Sequence, residues 1–328
     1  MVMADNQIKN RVIGADISID STNLAIVDVR GNIIARDEFS MKDFATVNEY
    51  VSVLSERVIM LAEANGGYET IRSMGISAPS GNFLTGCIEN PPNLNWKGQV
   101  PLAALLRDRL GLAVALANDA HVSALGEFVY GCAHGLKNFV VITLGHGIGS
   151  CIFSEGQPHL GSDGFAGEVG HTTAVAGGRT CGCGKKGCLE AYCGAAGIVR
   201  TAQEMMSASN EPSLMRDLED LSPKTITQCC EQGDKMAIEV YRRTGEVLGL
   251  TLAGYASILD PEAIIFTGGI ALAGHWLIEP ADEVFEKHVF HNIRNHVKFI
   301  LSSLDNHERD VLGASALAWG IKEYSLFK

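Results

Sequence analysis

VIGADI at Val12–Ile17 and LAIVDV at Leu24–Val29 are two apolar strand patterns separated by a short polar turn. A second pair, FVVITL at Phe139–Leu144 and SCIFS at Ser150–Ser154, repeats this plan across a glycine-rich turn. Apolar runs bounded by turn residues predict strands, and two such runs joined by a turn predict a hairpin. A hairpin that recurs at the start of each half of the chain indicates an internally duplicated α/β fold.

The segments between the two hairpins read as alternating helices and strands, as expected for a duplicated ribonuclease-H-like fold. Apolar residues recur at helical spacing in several of these segments, and short buried runs indicate strands. The predicted helices are Phe44–Asn65, Pro101–Leu110, Lys235–Leu259 and about Leu312–Tyr324. The predicted strands are Ile71–Ser77, Val114–Ala117 and Ala263–Thr267.

Composition excludes several function classes. The chain has 328 residues and a formal net charge of −12, with no basic stripe, which argues against a general nucleic-acid surface. We find neither a secretion signal nor a run of about 20 apolar residues that would cross a bilayer. Nine cysteines without a secretion signal favour a reducing, cytoplasmic location.

A cluster of metal-ligand types follows the second hairpin. EVGH at Glu168–His171 precedes CGCGKKGCLE at Cys181–Glu190. His171 and the thiolates of Cys181, Cys183 and Cys188 are the four ligands that tetrahedral Zn²⁺ prefers, and four protein ligands make the site structural. Buried cysteines or a disulfide are the alternative, but a loop rich in glycine and lysine is a poor apolar core segment.

These motifs resemble, in order and spacing, those of the glucokinase-like branch of the ROK family (repressor, open reading frame, kinase). The resemblance extends over nearly the whole chain. It rests on the following segments: Gly75–Asn82, Pro92–Trp96, Asn118–Ala120, Leu144–Gly149, Glu168–His171, Cys181–Glu190 and Thr267–Gly269.

The resemblance implies a two-domain actin/hexokinase-like fold with an interdomain cleft. The predicted first domain comprises residues 1–117 and about 310–328, and the second comprises residues 118–309 and carries the zinc motif. Family members commonly form dimers or tetramers, so we expect a homo-oligomer. Repressors of this family carry an N-terminal DNA-binding module for which the sequence before Val12 leaves no room, so no nucleic-acid partner is expected.

The resemblance also implies roles for single residues. Asp119 is matched to the general base, although Asn118 or Asp119 at the start of a helix also serves as a cap. The residues matched to hexose-binding positions are Asn93, Asn118, Glu168, His171 and Glu190, with Gly81 and Asn82 expected to line the same pocket. His171 would bind zinc through one ring nitrogen and the sugar through the other.

ATP with Mg²⁺ is the implied second substrate, and the residues expected around it depart from the family pattern. The first phosphate loop, usually Asp-x-Gly-Gly-Thr, reads Asp16-Ile17-Ser18-Ile19-Asp20. Asp20 would repel phosphate unless a Mg²⁺ ion bridged Asp16 and Asp20. The second keeps Gly145, Gly147 and Gly149 but has His146 in place of the usual threonine, and it could be an ordinary glycine turn. Gly268 and Gly269 are matched to adenosine contacts.

Two hypotheses follow. The first is an ATP-dependent hexose kinase with Asp119 as its base. The second is a sugar-binding ROK protein, a sensor or partner subunit, whose altered phosphate loops impair phosphoryl transfer. Both hypotheses require sugar binding, so only ATP binding and phosphoryl transfer distinguish them.

Overall fold

The structure, a computed structural model, describes residues 9–42, 44, 46–91, 94, 96–305 and 308–321. Its strands are β1 (Arg11–Ile17), β2 (Ser21–Asp28), β3 (Ile33–Ser40), β4 (Ile71–Ser77), β5 (Gly81–Asn82), β6 (Cys87–Glu89), β7 (Gln99–Val100), β8 (Ala113–Ala117), β9 (Phe139–Leu144), β10 (Ile148–Ser154), β11 (Gln157–Pro158), β12 (Ala263–Thr267) and β13 (Lys298–Leu301).

The helices connect and flank these strands. They are α1 (Val47–Ala64), α2 (Leu102–Leu110), α3 (Asp119–Tyr130), α4 (Glu190–Cys193), α5 (Ala195–Ala208), α6 (Pro223–Glu231), α7 (Lys235–Leu259), α8 (His275–His288) and α9 (Arg309–Trp319). Within the described ranges, no helix is long and apolar enough to span a bilayer.

Two sheets share one topology. The first has the strand order β3-β2-β1-β4-β8 and the second β11-β10-β9-β12-β13. In each sheet the first hairpin is antiparallel and the later strands are parallel to the hairpin's leading strand. The recurring hairpin therefore marks a true structural repeat, as the sequence predicted.

The chain divides into two compact units. One contains the chain up to His134, the segment Gly161–Phe165 and the chain from Leu304 onward, and the other contains Gly135–Leu160 and Ala166–Ser303. The boundaries expected from the sequence placed residues 118–134 in the second domain. In the structure α3 belongs with the first sheet, because it packs on α9, which in turn packs on β1 and β4.

Close backbone contact seats α9 on the first sheet. A Cβ atom at Gly14 would lie 2.2 Å from the carbonyl oxygen of Val311, and one at Gly75 would lie 1.9 Å from that of Ala314. Only glycine at these strand positions permits this approach. The helix begins at Arg309, earlier than the sequence predicted, and places Arg309 and Asp310 beside the end of β1.

Candidate active site

Asp119 is the first residue of α3, directly after β8. Asn118 is the N-cap, and its Oδ1 accepts a hydrogen bond from the His121 amide at 2.7 Å. Asp119 Oδ1 accepts one from the Ala120 amide at 2.8 Å. Asn118 is therefore the N-cap, and the Asp119 carboxylate is held in place by the Ala120 amide.

The electrostatic surroundings of Asp119 suit a proton acceptor. Burial raises its pKa, and the negative charge of Asp310 adds to the rise, while the Arg309 guanidinium opposes it. Burial likewise raises the pKa of Asp16 to about 7, with contributions from Asp310 and Asp119. Arg309 is itself buried and donates to Asp310 at 2.9 Å. Burial and repulsion from neighbouring carboxylates thus raise the pKa of both Asp16 and Asp119 in the first unit.

A cavity of about 630 Å³ lies beside Asp16 and Asp310, and Asn23 and Arg36 also line it. The sequence analysis did not single out Arg309 and Asp310. A sequence pattern could have identified them, because a charged pair stands at the start of an otherwise apolar helix. Charged groups need polar partners when such a helix is buried.

Gly81 and Asn82 lie close to Asp119 in the fold. A Cβ at Gly81 would lie 2.6 Å from the carbonyl oxygen of Ala117. The Asn82 side chain donates to the Asp163 carbonyl at 2.8 Å and accepts from the Leu84 amide at 2.9 Å. Asn82 thus holds its own loop as well as the 161–165 segment. The predicted sugar ligand Asn93 lies outside the described residues.

The first phosphate loop is a tight turn. The Ser18 amide donates to the Ser21 carbonyl at 2.9 Å, and the Ser21 amide donates to Ser18 Oγ at 3.1 Å. Ile19 is half exposed. The Asp20 carboxylate lies 3.5 Å from Lys42 Nζ, and 78% of the Asp20 side chain is exposed. The Ser18 amide is therefore engaged within the turn, whereas the charge of Asp20 is partly offset by Lys42.

The second glycine turn joins β9 to β10 and lies against the end of β12. Gly268 has a φ of +89°, and a Cβ there would lie 2.3 Å from the carbonyl oxygen of Leu144. By contrast, a Cβ at Gly145 or Gly269 would meet nothing within 4 Å. Glycine therefore leaves open space beside the backbone at these two positions.

The four predicted zinc ligands converge in the second unit. One ligand atom from each of His171, Cys181, Cys183 and Cys188 lies within 4.8 Å of the other three. Cys183 Sγ is 3.7 Å from Cys188 Sγ, and Cys181 Sγ is 3.7 Å from His171 Nδ1. A tetrahedral ion with Zn–S of about 2.3 Å and Zn–N of about 2.0–2.1 Å requires S···S near 3.8 Å and S···N near 3.6 Å. The residues fit zinc, with Nδ1 of His171 as the metal-side nitrogen.

Backbone hydrogen bonds hold this motif together. Cys181 and Gly184 close the cysteine loop through bonds to the Lys185 carbonyl at 2.8 Å and the Cys181 carbonyl at 3.0 Å. Lys185 Nζ donates to the His171 carbonyl at 2.8 Å. The histidine and the cysteines are thereby fixed relative to one another through the chain itself.

The carboxylates predicted to bind sugar flank this motif. Glu168 precedes a 3₁₀ turn, Val169–His171, that Ser150 of β10 anchors by donating to the Gly167 carbonyl and accepting from the Val169 amide at 3.3 Å. Glu190 begins α4, and its Oε2 accepts a hydrogen bond from the Ile148 amide at 3.0 Å. Glu190 thus contacts the glycine turn, a role that the sequence did not reveal.

The chain is similar to known proteins over nearly its whole length. The model of the ROK family matches residues 12–321. A glucokinase of Halalkalibacterium halodurans is 31% identical over 95% of this chain and 94% of its own length. The crystal structure of a ROK family glucokinase from Streptomyces griseus in complex with glucose and AMPPNP is 28% identical, with a TM-score of 0.77 over 94% of this chain and 99% of that one.

The comparisons also include a regulator. A xylose repressor of Caldicellulosiruptor bescii is 25% identical over 85% of this chain and 71% of its own length. The match to solved sugar kinases confirms the actin/hexokinase-like fold expected from the sequence. The chain belongs to the ROK family.

Proposed function

We propose that the protein is an ATP-dependent hexose kinase with Asp119 as its general base. The observation that carries this proposal is the geometry of Asp119, a carboxylate fixed at the N-terminus of α3 with a raised pKa and one oxygen held by the Ala120 amide. Similarity to glucokinases, one of them solved with glucose and an ATP analogue, supports the substrate pair.

Asp119 would take the proton from the sugar hydroxyl as that oxygen attacks the terminal phosphoryl group. A base works best when its pKa lies near the working pH, and burial moves Asp119 in that direction. The positive end of the α3 dipole opposes this rise, but it also stabilises the carboxylate before the proton arrives. The short β8–α3 connection keeps the base rigid.

Glu168, His171 and Glu190 would bind the other sugar hydroxyls. Each carboxylate accepts from two hydroxyls, and a site built on such pairs rejects analogues that lack them. Nδ1 of His171 is on the cysteine side, so Nε2 is the nitrogen left for the sugar. Zinc would stabilise this arrangement structurally.

ATP with Mg²⁺ would supply the transferred phosphoryl group. Asp16 would hold the metal, while the open backbone at Gly145 and Gly269 would accept phosphate and adenosine. Glu190 would fix the glycine turn through Ile148 while the nucleotide is bound.

The second candidate, a sugar-binding protein with impaired phosphoryl transfer, is favoured by the first loop. Its Ser18 amide bonds within the turn, and Ile19 and Asp20 replace residues that suit close phosphate approach. The similarity to a xylose repressor supports a regulatory role of this kind.

A coupled ADP-release assay over glucose, other hexoses and N-acetylhexosamines tests the proposal, with Asp119→Asn as the matched control. Turnover that depends on sugar and on Asp119 supports the kinase. Tight sugar binding by calorimetry without ADP release would establish the second candidate, and neither activity nor sugar binding would overturn both.

A further inference from the structure

Arg179 lies two residues before the first cysteine of the zinc motif, and 11% of its side chain is exposed. Its carbonyl oxygen accepts a hydrogen bond at 2.8 Å from the amide of Gly187, the residue before Cys188. Its own amide donates to the Tyr192 hydroxyl at 2.8 Å. Both ends of the cysteine loop therefore meet at the backbone of Arg179.

The guanidinium group of Arg179 joins this loop to the helices behind it. It donates to the carbonyl oxygens of Ala191 at 3.3 Å and Gly197 at 3.0 Å. Both terminal nitrogens also donate to Thr201 Oγ1, at 3.0 and 3.1 Å. The group lies over the Tyr192 ring, 4.7 Å from the centroid. Only a planar group with several fixed donors satisfies these acceptors together.

The ion pair with Glu204 is the lesser part of this arrangement. Glu204 is 52% exposed and bonds both Arg179 at 2.6 Å and Arg200 at 2.8 Å. An ion pair with so exposed a partner is screened by solvent and contributes little to stability. The carbonyl contacts are partly buried and link the loop to two helices, so they set the position of the loop.

These contacts lead directly to the candidate active site. Ala191, whose carbonyl Arg179 holds, follows Glu190, and Glu190 accepts the Ile148 amide of the glycine turn. Hydrogen bonds and one peptide link thus connect the cysteine loop, through Arg179 and the start of α4, to the turn between β9 and β10.

We propose that Arg179 is a positioning residue that holds the zinc ligands and Glu190 in fixed relation to the glycine turn Gly145–Gly149. Its effect on catalysis rests on the proposed kinase function, whereas its effect on the metal does not. Removal of partners that orient metal ligands typically weakens metal binding or activity about 10–100-fold.

Two substitutions test the role. Arg179→Gln removes the charge and most donors, and Arg179→Lys keeps the charge and the aliphatic stem but not the planar fork. Arg200→Gln and Glu204→Gln are the matched controls, because they remove the ion pairs around Glu204 and leave the carbonyl contacts of Arg179 in place. Zinc release from folded protein to a chromogenic chelator is measured below the melting temperature, together with glucose affinity by calorimetry and the KM values for glucose and ATP.

Both Arg179 variants are expected to release zinc about 10–100-fold faster and to bind glucose about 10-fold more weakly. The ATP KM should rise in parallel, while both controls stay within about 2-fold of the wild type. Unchanged zinc release and KM values with only a lowered melting temperature would overturn the proposal, as would normal behaviour of Arg179→Lys. If the wild type shows no kinase turnover, the kinase proposal fails, and zinc release and glucose binding still decide the role of Arg179.

Discussion

Glu190 Oε2 accepts a hydrogen bond from the backbone amide of Ile148 at 3.0 Å. A Cβ at the preceding Gly147 would lie 2.4 Å from the same oxygen, so glycine is required there for the carboxylate to approach. Glu190 follows Cys188 by two residues. One side chain therefore connects the metal motif to the turn that we assign to phosphate binding, and a change at the metal should reach the turn.

Cys183→Ser should remove zinc and destabilise the protein. Structural zinc contributes its binding free energy to folding, and in a domain of this size each kcal/mol lost lowers Tm by about 2–4 °C. We expect one zinc per chain in the wild type by elemental analysis, and in the variant a loss of metal with a Tm lowered by about 10 °C. Cys87→Ser, outside the cluster, is the control. A zinc-free wild type, or unchanged melting of Cys183→Ser, would contradict the assignment.

The repeated hairpins and the zinc cluster were predictable because each leaves a local signal. The strand bounds of β4, β9 and β12 and those of α7 agree with the prediction, since apolar periodicity and flanking turns define them. The residue types and their spacing predicted that His171 would lie beside the three cysteines, and the structure brings these four residues together. These features depend on short stretches of sequence.

The remaining contacts depend on packing between distant segments. Nothing in the sequence around Arg309 shows that α9 will bring Asp310 beside Asp16, because that placement follows from the glycine contacts at Gly14 and Gly75. The bond from Ile148 to Glu190 likewise joins positions 42 residues apart. The ion pair of Asp20 with Lys42 likewise joins two strand-flanking positions that no local pattern connects.

Asp119→Asn should abolish most kinase turnover without loss of sugar affinity. The amide keeps the shape and the bond to the Ala120 amide, yet it cannot accept the hydroxyl proton. Removal of a general base typically lowers the rate about 10²–10⁴-fold. Single-turnover kinetics measure the rate, and calorimetry should show glucose affinity within a few-fold of the wild type. Because Asn118 supplies the cap, Tm should change little, and near-normal turnover would exclude Asp119 as the base.

Asp16→Asn should stabilise the protein by an amount that grows as pH rises from about 4 to about 7. The pKa of Asp16 is about 7 in the folded state against 3.8 in its ordinary state, so the folded protein binds this proton more tightly than the unfolded chain. Stability is then full below the unfolded pKa and falls as pH rises toward about 7.

Asparagine does not ionise, so the variant should not lose stability over that interval. The Tm difference between Asp16→Asn and wild type should therefore be larger at pH 8 than at pH 5. The solvent-exposed Asp217→Asn serves as control and should show no such trend. An equal Tm difference at pH 5 and pH 8 would show that Asp16 does not titrate between these two pH values.

Restoring the family's phosphate loops should raise turnover with little change in sugar affinity. The variant combines Ser18→Gly, Ile19→Gly, Asp20→Thr and His146→Thr. Glycine at position 18 removes the hydroxyl that accepts from the Ser21 amide, and glycine at position 19 removes the β-branched side chain. Both changes also widen the range of φ and ψ open to the turn, although the backbone bond from residue 18 to the Ser21 carbonyl is kept. A lower KM for ATP and a higher kcat are expected, with unchanged glucose affinity by calorimetry.

Asp20→Thr alone separates the effect of the Asp20 charge on ATP binding from the effect of the backbone geometry of the first loop. At 4 Å a unit-charge repulsion costs about 4 kcal/mol near an effective dielectric of 20 but about 1 kcal/mol in water. The Asp20 side chain is 78% exposed and lies 3.5 Å from Lys42, so the smaller figure applies. The single variant should therefore lower the KM for ATP less than about 10-fold, and most of the gain in the combined variant should come from the two glycines.

Wild-type turnover of about 1–10³ s⁻¹ on any hexose would refute impaired phosphoryl transfer and leave an ordinary sugar kinase whose first loop binds phosphate by other means.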